Sequence, residues 1–154
     1  MTGRIDFYVL GSAASGERRR LACRLAEQAY LANLRVIIWS ATEAEARTLD
    51  ELLWTFEERA FVPHRISRDA LELEDRGTPV HVTVALDAVE DADLLVNLAD
   101  RLPEGLPRFA RVAEIMDADE ERRRLGRERF KAYREQKLAL KTHQCEDGRP
   151  ESCE

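Results

Sequence analysis

Two apolar runs near the N-terminus restrict the architecture more than any other feature of the chain. Arg4 to Leu10 (RIDFYVL) and Arg35 to Trp39 (RVIIW) are short, rich in β-branched and aromatic residues, and stand one helix apart. Between them comes the small-residue turn Gly11-Ser-Ala-Ala-Ser-Gly16. The segment Glu17 to Asn33 comes next, with Arg18, Leu21, Leu25, Ala29 and Ala32 near one face, the spacing of an amphipathic helix. An unbroken run such as RVIIW suits a strand covered on both faces. Ser40-Ala-Thr-Glu43 has capping-box spacing and predicts a second helix to about Trp54. The order β-α-β-α predicts a parallel sheet with helices packed on it.

Further along, Phe56 to Arg65 interrupts the alternation, with an apolar turn at Phe61-Val62-Pro63-His64. Residues 66–79, rich in Asp, Glu, Arg and Gly, read as a solvated connection. Val80, Val82 and Val84 alternate with His81, Thr83 and Ala85 as a third strand, Leu94 to Leu98 forms a fourth, and Phe109 to Met116 a fifth. From His143 the sequence HQCEDGRPESCE has almost nothing to bury, so disorder is expected over 143–154.

With 154 residues the chain suits one domain that needs neither metal nor disulfide to fold. No apolar run reaches 18 residues and no signal-peptide core opens the chain, so neither a membrane span nor secretion is expected. The three cysteines, Cys23, Cys145 and Cys153, are expected as reduced thiols in a cytoplasm.

Gly11 and Gly16 have the glycine spacing of a phosphate-binding loop between a strand and a helix. That loop then needs Lys, to neutralise the β- and γ-phosphates, and Ser or Thr, to hold magnesium. Here Glu17 and Arg18 occupy those positions, and a carboxylate at that helix start repels a triphosphate. His143, Cys145 and Cys153 make an incomplete metal set in a loose tail, while His64 and His81 look isolated. No nucleophile-base-orienter set emerges, so no catalytic residue, cofactor or metal is expected.

Positive charge collects in one place. From Arg122 to Lys141 nine Lys/Arg face two acids, a local charge of +7 in a chain of net −6, which leaves −13 for the remainder. The preceding Asp119, Glu120 and Glu121 complete the charge order that a helix dipole favours. On a helical wheel Arg123, Arg127, Phe130 and Arg134 fall within about 60° of one another, with Lys131 on the flank. Leu125 and Ala132 point the other way, where the core is expected. An aromatic fenced by bases suits an acidic peptide with an apolar tip. It equally suits a nucleic-acid strand with a base stacked on Phe130, or a plain solvated face with a half-buried ring. Net acidity argues against a general DNA binder. Trp54, Phe61 and Pro63 cluster at a helix end; exposed together, they form an apolar docking patch.

The blocks Leu49-Asp-Glu-Leu-Leu-Trp54, Phe61-Val-Pro-His64 and Arg127-Glu-Arg-Phe-Lys-Ala-Tyr-Arg134, with the FYVL strand and the spacing between them, resemble the chi subunit family of bacterial DNA polymerase III holoenzyme over roughly residues 3–142. The resemblance implies one domain over 1–142, a three-layer α/β/α fold with a mostly parallel central sheet, Rossmann-like and without a functional phosphate loop. It implies a non-catalytic accessory subunit attached to the clamp loader in the cytoplasm. It further implies one surface for the psi subunit or another clamp-loader component, carried over to Trp54, Phe61 and Pro63. A second surface, for the acidic Phe-ended tail of single-stranded-DNA-binding protein, falls on Arg123, Arg127, Phe130, Lys131 and Arg134, with Met116 as a pocket wall. The family commonly places Tyr or another aromatic at Phe130 and Lys at Arg123, so this chain lacks a hydroxyl at one position and changes geometry at the other. The alternative is a direct single-stranded nucleic-acid-binding module using the basic helix 122–141.

Overall fold

The structure, a computed structural model, describes residues 2–11, 13 and 15–153. Among the described residues seven strands are joined by helices: β1 (Arg4–Leu10), α1 (Ser15–Leu31), β2 (Val36–Trp39), α2 (Glu43–Thr55), β3 (His64–Ile66), α3 (Ala70–Leu73), β4 (Val80–Thr83), β5 (Ala92–Asn97), β6 (Phe109–Met116), α4 (Glu120–Glu135) and β7 (Leu140–Cys145), with only 3-10 turns between β4, β5 and β6. They form one sheet in the order β3-β4-β2-β5-β6-β1-β7, and every pair is parallel. This is the expected α/β fold, with the sheet parallel throughout. Of the expected Gly11–Gly16 turn, residues 12 and 14 lie outside the described residues.

The sheet separates two cores. Val36 and Ile38 of β2 face α1 and α2, where Leu21, Leu25, Leu49 and Leu53 are buried, while Ile37 and Trp39 face the other way. All four residues of β2 are buried, as the RVIIW run predicts for a central strand. The second core is closed by short pieces, Leu73 of α3 and 3-10 turns carrying Leu86 and Leu106, and by Tyr133 of α4.

Several expectations are corrected. The cap of α2 is Thr42, whose side chain accepts from the Glu45 amide at 3.1 Å, whereas Ser40 is buried and its hydroxyl donates to the Thr42 carbonyl. The stretch 66–79 holds α3, capped by Asp69, and comes after β3, a three-residue edge strand too short to show periodicity. The basic helix ends at Glu135 instead of running to Lys141. Lys137 adopts a left-handed φ of 60°, its amide donates to Arg134 O and the Leu138 amide reaches Tyr133 O, which together make a Schellman stop. Leu138 then folds onto the core.

The chain leaves α4 into β7, which pairs with β1 from Ile5↔Leu140 to Leu10↔Cys145. Residues 143–145, expected to be disordered, therefore complete the sheet edge. His143 stacks on Tyr8, ring centroids 4.7 Å apart, and its Nε2 lies 2.9 Å from Asp6 Oδ1. Cys145 and Cys153, expected as free thiols, form a disulfide, while Cys23 is free and buried. Among the described residues no helix is long and apolar enough to cross a membrane.

Candidate functional site

The basic helix is anchored by polar contacts rather than by an apolar stripe. Asp119 caps α4 by accepting from the Arg122 amide. The buried positions are Gly126, Arg129 and Tyr133, not the expected Leu125 and Ala132, which are only partly covered. The cause lies on β6. Glu114 is wholly buried, and its carboxylate accepts from Arg129 Nε at 2.9 Å, from the Tyr133 hydroxyl at 2.5 Å and from Asn97 Nδ2 at 2.9 Å. Burial pushes the Glu114 carboxyl above its ordinary range, with the Arg129 guanidinium pulling against it. Three donors on one carboxylate turn the helix so that an arginine and a tyrosine face inward.

Gly126 sits over Met116, where a Cβ would stand 2.8 Å from the Met116 side chain, so the glycine lets α4 approach β6. Met116, the expected pocket wall, is buried beneath it.

The bases separate into engaged and free. Arg122 makes a two-armed contact with buried Asp117 at 3.0 and 2.7 Å. Arg124 pairs with Glu121 and Glu128. Arg123, expected among the ligand-facing bases, donates from Nε to Asp117 O at 2.8 Å and from Nη2 to Leu10 O at 3.4 Å, so its guanidinium ties α4 to the ends of β6 and β1. Arg127 and Lys131 are exposed and have no hydrogen bond or ion pair among the described residues. Arg134 is exposed and places its guanidinium 5.9 Å from the centre of the Phe130 ring. Phe130 is half-buried, its edge against Phe7 with centroids 5.1 Å apart. A depression of about 910 Å³ at the start of α4 mixes Arg123, Arg124 and Arg127 with Asp119, Glu120 and Glu121, and Phe130 is not among its lining residues.

At the far side of the molecule Trp54 and Phe61 are 53% and 64% exposed, with ring centroids 6.0 Å apart. Pro63 is partly covered beside them. His64 supports the pair from below. Its ring lies 4.5 Å from that of Trp54, and its nitrogens reach Val62 O at 2.6 Å and Asp50 O at 2.9 Å. Two large aromatics held side by side in solvent form an exposed apolar patch. Leu31 and Leu71 are more exposed still, and periodicity did not single them out.

Contrary to the sequence reading, His64 and His81 are not isolated. His81 Nδ1 meets the Ser67 hydroxyl at 2.7 Å and its Nε2 meets Asp75 O at 2.9 Å. Ser67 and His81 are both fully buried, so the pair pins β3 to β4 out of reach of any substrate. Burial holds the His81 imidazole below its ordinary pKa. The candidate metal set is dissolved by its own partners: Cys145 and Cys153 bond to each other and His143 faces Asp6. Arg18, standing where a phosphate loop needs a hydroxyl, is buried and donates to Asp100 at 2.7 Å and to Leu98 O at 3.1 Å.

The fold is similar to that of a solved DEAD box protein from the hyperthermophile Methanococcus jannaschii. The TM-score is 0.60 at 14% identity over 88% of this chain and 40% of that one, a likeness of fold alone. The family profile described as "DNA polymerase III chi subunit, HolC" matches residues 1–141. The DNA polymerase III subunit chi of Pseudomonas aeruginosa is 38% identical over 140 residues, covering 91% of this chain and 95% of that protein. That of Haemophilus influenzae is 29% identical over 89% of this chain and 94% of its own. The chain therefore belongs to the DNA polymerase III chi subunit family, accessory subunits of DNA replication.

Proposed function

We propose that the chain works as a non-catalytic tether in the cytoplasm. α4 grips the acidic, Phe-ended tail of single-stranded-DNA-binding protein, and the Trp54–Phe61–Pro63 patch holds psi or another clamp-loader component. The observation that carries the reading is a pair of exposed, unpaired cations, Arg127 and Lys131, on the same helix as Arg134, whose guanidinium lies over the half-buried ring of Phe130. Guanidinium groups take carboxylates by paired hydrogen bonds, and the ring supplies packing area for an apolar tip. Arg123 contributes by tying the helix to the ends of β6 and β1. Exposed contacts of this kind give a modest affinity per tail that salt weakens. Many tails on one coated strand raise the effective concentration and keep the loader near the fork.

The test is titration of a labelled acidic Phe-ended peptide, with a single-stranded oligonucleotide in a parallel arm. Arg127→Ala and Lys131→Ala remove exposed, unpaired side chains and leave the fold alone, whereas truncating Phe130 also removes packing against Phe7. Each alanine is expected to weaken the peptide about 5- to 30-fold at low salt, the scale of one charge-assisted hydrogen bond of ~1–2 kcal/mol. Unchanged peptide affinity in both variants sinks the reading. Tight oligonucleotide binding lost in the same variants would replace it with direct strand recognition.

A further inference from the structure

The family match ends at residue 141, and the C-terminal residues beyond it are built into the fold by a covalent bond. Cys145 is the last residue of β7, pairs with Leu10 on one side and meets Cys153 in an antiparallel bridge on the other. The Cys145–Cys153 disulfide closes the segment between them into a strap with a sequence separation of 8. The strap lies down on the first turn of α1. The Gly148 amide donates to Glu17 Oε2 at 2.6 Å. Gly148 is buried so tightly that a Cβ would stand 2.8 Å from the Glu17 carbonyl and 3.1 Å from Arg20 Cβ. Inside the strap, the Asp147 carboxylate is held by Arg149 at 2.9 Å and the Ser152 amide donates to Arg149 O. Across the strap the amide of Glu146 reaches Ser152 O only at 3.4 Å, so the covalent bond is the main tie between its two limbs.

We propose that Cys145–Cys153 is a redox-controlled clasp that holds the strap 146–152 on the N-terminal turn of α1 and lets it go on reduction. Cys145 is 5% exposed whereas Cys153 is only partly covered, so an incoming thiolate reaches Cys153 Sγ. A dithiol reductant attacks there, the Sγ–Sγ bond breaks, and Cys145 leaves as a thiolate that takes up a proton. The second thiol of the reductant then displaces Cys153 as a thiol. Two electrons have passed from the dithiol, now a cyclic disulfide, to the protein. Cys23 does not interfere. It is fully buried in the same core, and burial pushes its thiol up to about 12, which keeps it protonated. In a cytoplasm, where the proposed function places the chain, disulfides are transient or redox-sensing. The geometry of the clasp stands independently of that function.

The readout is hydrogen exchange of the Gly148 amide in the full chain, compared between the oxidised protein, the protein in dithiothreitol, and the double variant Cys145→Ser, Cys153→Ser. Alkylation after unfolding checks the starting state, with one cysteine labelled when oxidised and three when reduced. Loop-closure entropy for a ring of this size predicts that protection at Gly148 falls about 70-fold on reduction and in the double variant. Amides of β1 and β6 should keep their protection. Equal protection at Gly148 in all three samples overturns the proposal, and so does alkylation of three cysteines in the air-oxidised protein. Failure of the peptide titration, with Gly148 still released, would overturn the tether and leave the clasp standing.

Discussion

Replacing Arg129 with Leu tests the central claim about how α4 is held. The side chain is 3% exposed and that of Glu114 is fully buried, so the substitution leaves a carboxylate in the interior without its cation. Removing one partner of a buried pair costs about 3–5 kcal/mol. Tyr133 and Asn97 still donate to Glu114, which points to the lower end, about 3 kcal/mol of the ~5–15 kcal/mol that stabilises a domain. With a urea slope of about 1–3 kcal/mol/M, the unfolding midpoint should fall by about 1–3 M. Arg129 Nη2 also stands 3.9 Å from Asp100, but Asp100 keeps its 2.7 Å pair with Arg18, so most of the cost comes from the stranded Glu114 carboxylate. The triple variant Glu114→Leu, Arg129→Leu, Tyr133→Phe removes the carboxylate with two of its three donors and leaves Asn97 Nδ2 its bond to Arg101 O, so it should recover most of the loss. A pH series separates charge from shape. Burial already raises Glu114 above its ordinary value of 4.5, and losing Arg129 raises it further. An acid raised on folding contributes stability that is fully present below its unfolded value and lost as pH rises through the folded one. The deficit of Arg129→Leu must therefore be smaller near pH 4.5 than near pH 8. A loss under about 1 kcal/mol, or one independent of pH, refutes the reasoning.

Two further outcomes are expected at the sheet edge and the far face. Burial opposes ionisation of Asp6, but His143, Arg111 and Arg4 outweigh it and hold its carboxyl below 3.8. Stability from such a group is present above the unfolded value and lost as pH falls through the folded one, so protection of the β7 amides, taken relative to free-peptide exchange at the same pH, should drop below about pH 4; in Asp6→Asn it should be low at every pH. The exposed pair Trp54→Ser with Phe61→Ser should leave the stability within about 1 kcal/mol of the parent. The same double change should abolish sedimentation with a clamp-loader component, and retained co-sedimentation would remove the patch from the interface.

The strand-helix alternation was legible because central β2 is covered on both sides and reads as an unbroken apolar run, while β4 shows its valines at every second position. β3 and β7 were not legible for the opposite reason. They are the two edges of the sheet, one only three residues long and the other, LKTHQC, half exposed and largely polar. The apolar patch around Trp54 and Phe61 was visible as a cluster, yet its exposure depended on where His64 and α2 came to rest. Of the basic residues, charge density singled out one helix but could not tell a free cation from an engaged one. Arg122 and Arg123 are bound to Asp117 and to strand-end carbonyls, whereas Arg127 and Lys131 are not.

The amino-acid order alone determined the parallel α/β scaffold, the Glu17 that spoils a phosphate loop and the gathering of charge on one helix, because each is a local pattern of hydrophobicity, steric demand or charge. The rotation of that helix was decided in three dimensions. A wheel ranks faces by apolar content and turns Leu125 and Ala132 inward, but a buried carboxylate on β6 must be satisfied, and Arg129 and Tyr133 satisfy it. The strap belongs to the same class. Cys145 and Cys153 looked like parts of a loose end until the pairing of β7 with β1 set one beside the other. Burying a polar group or closing a covalent bond depends on which distant residue lies opposite, and neighbours along the chain carry no record of it.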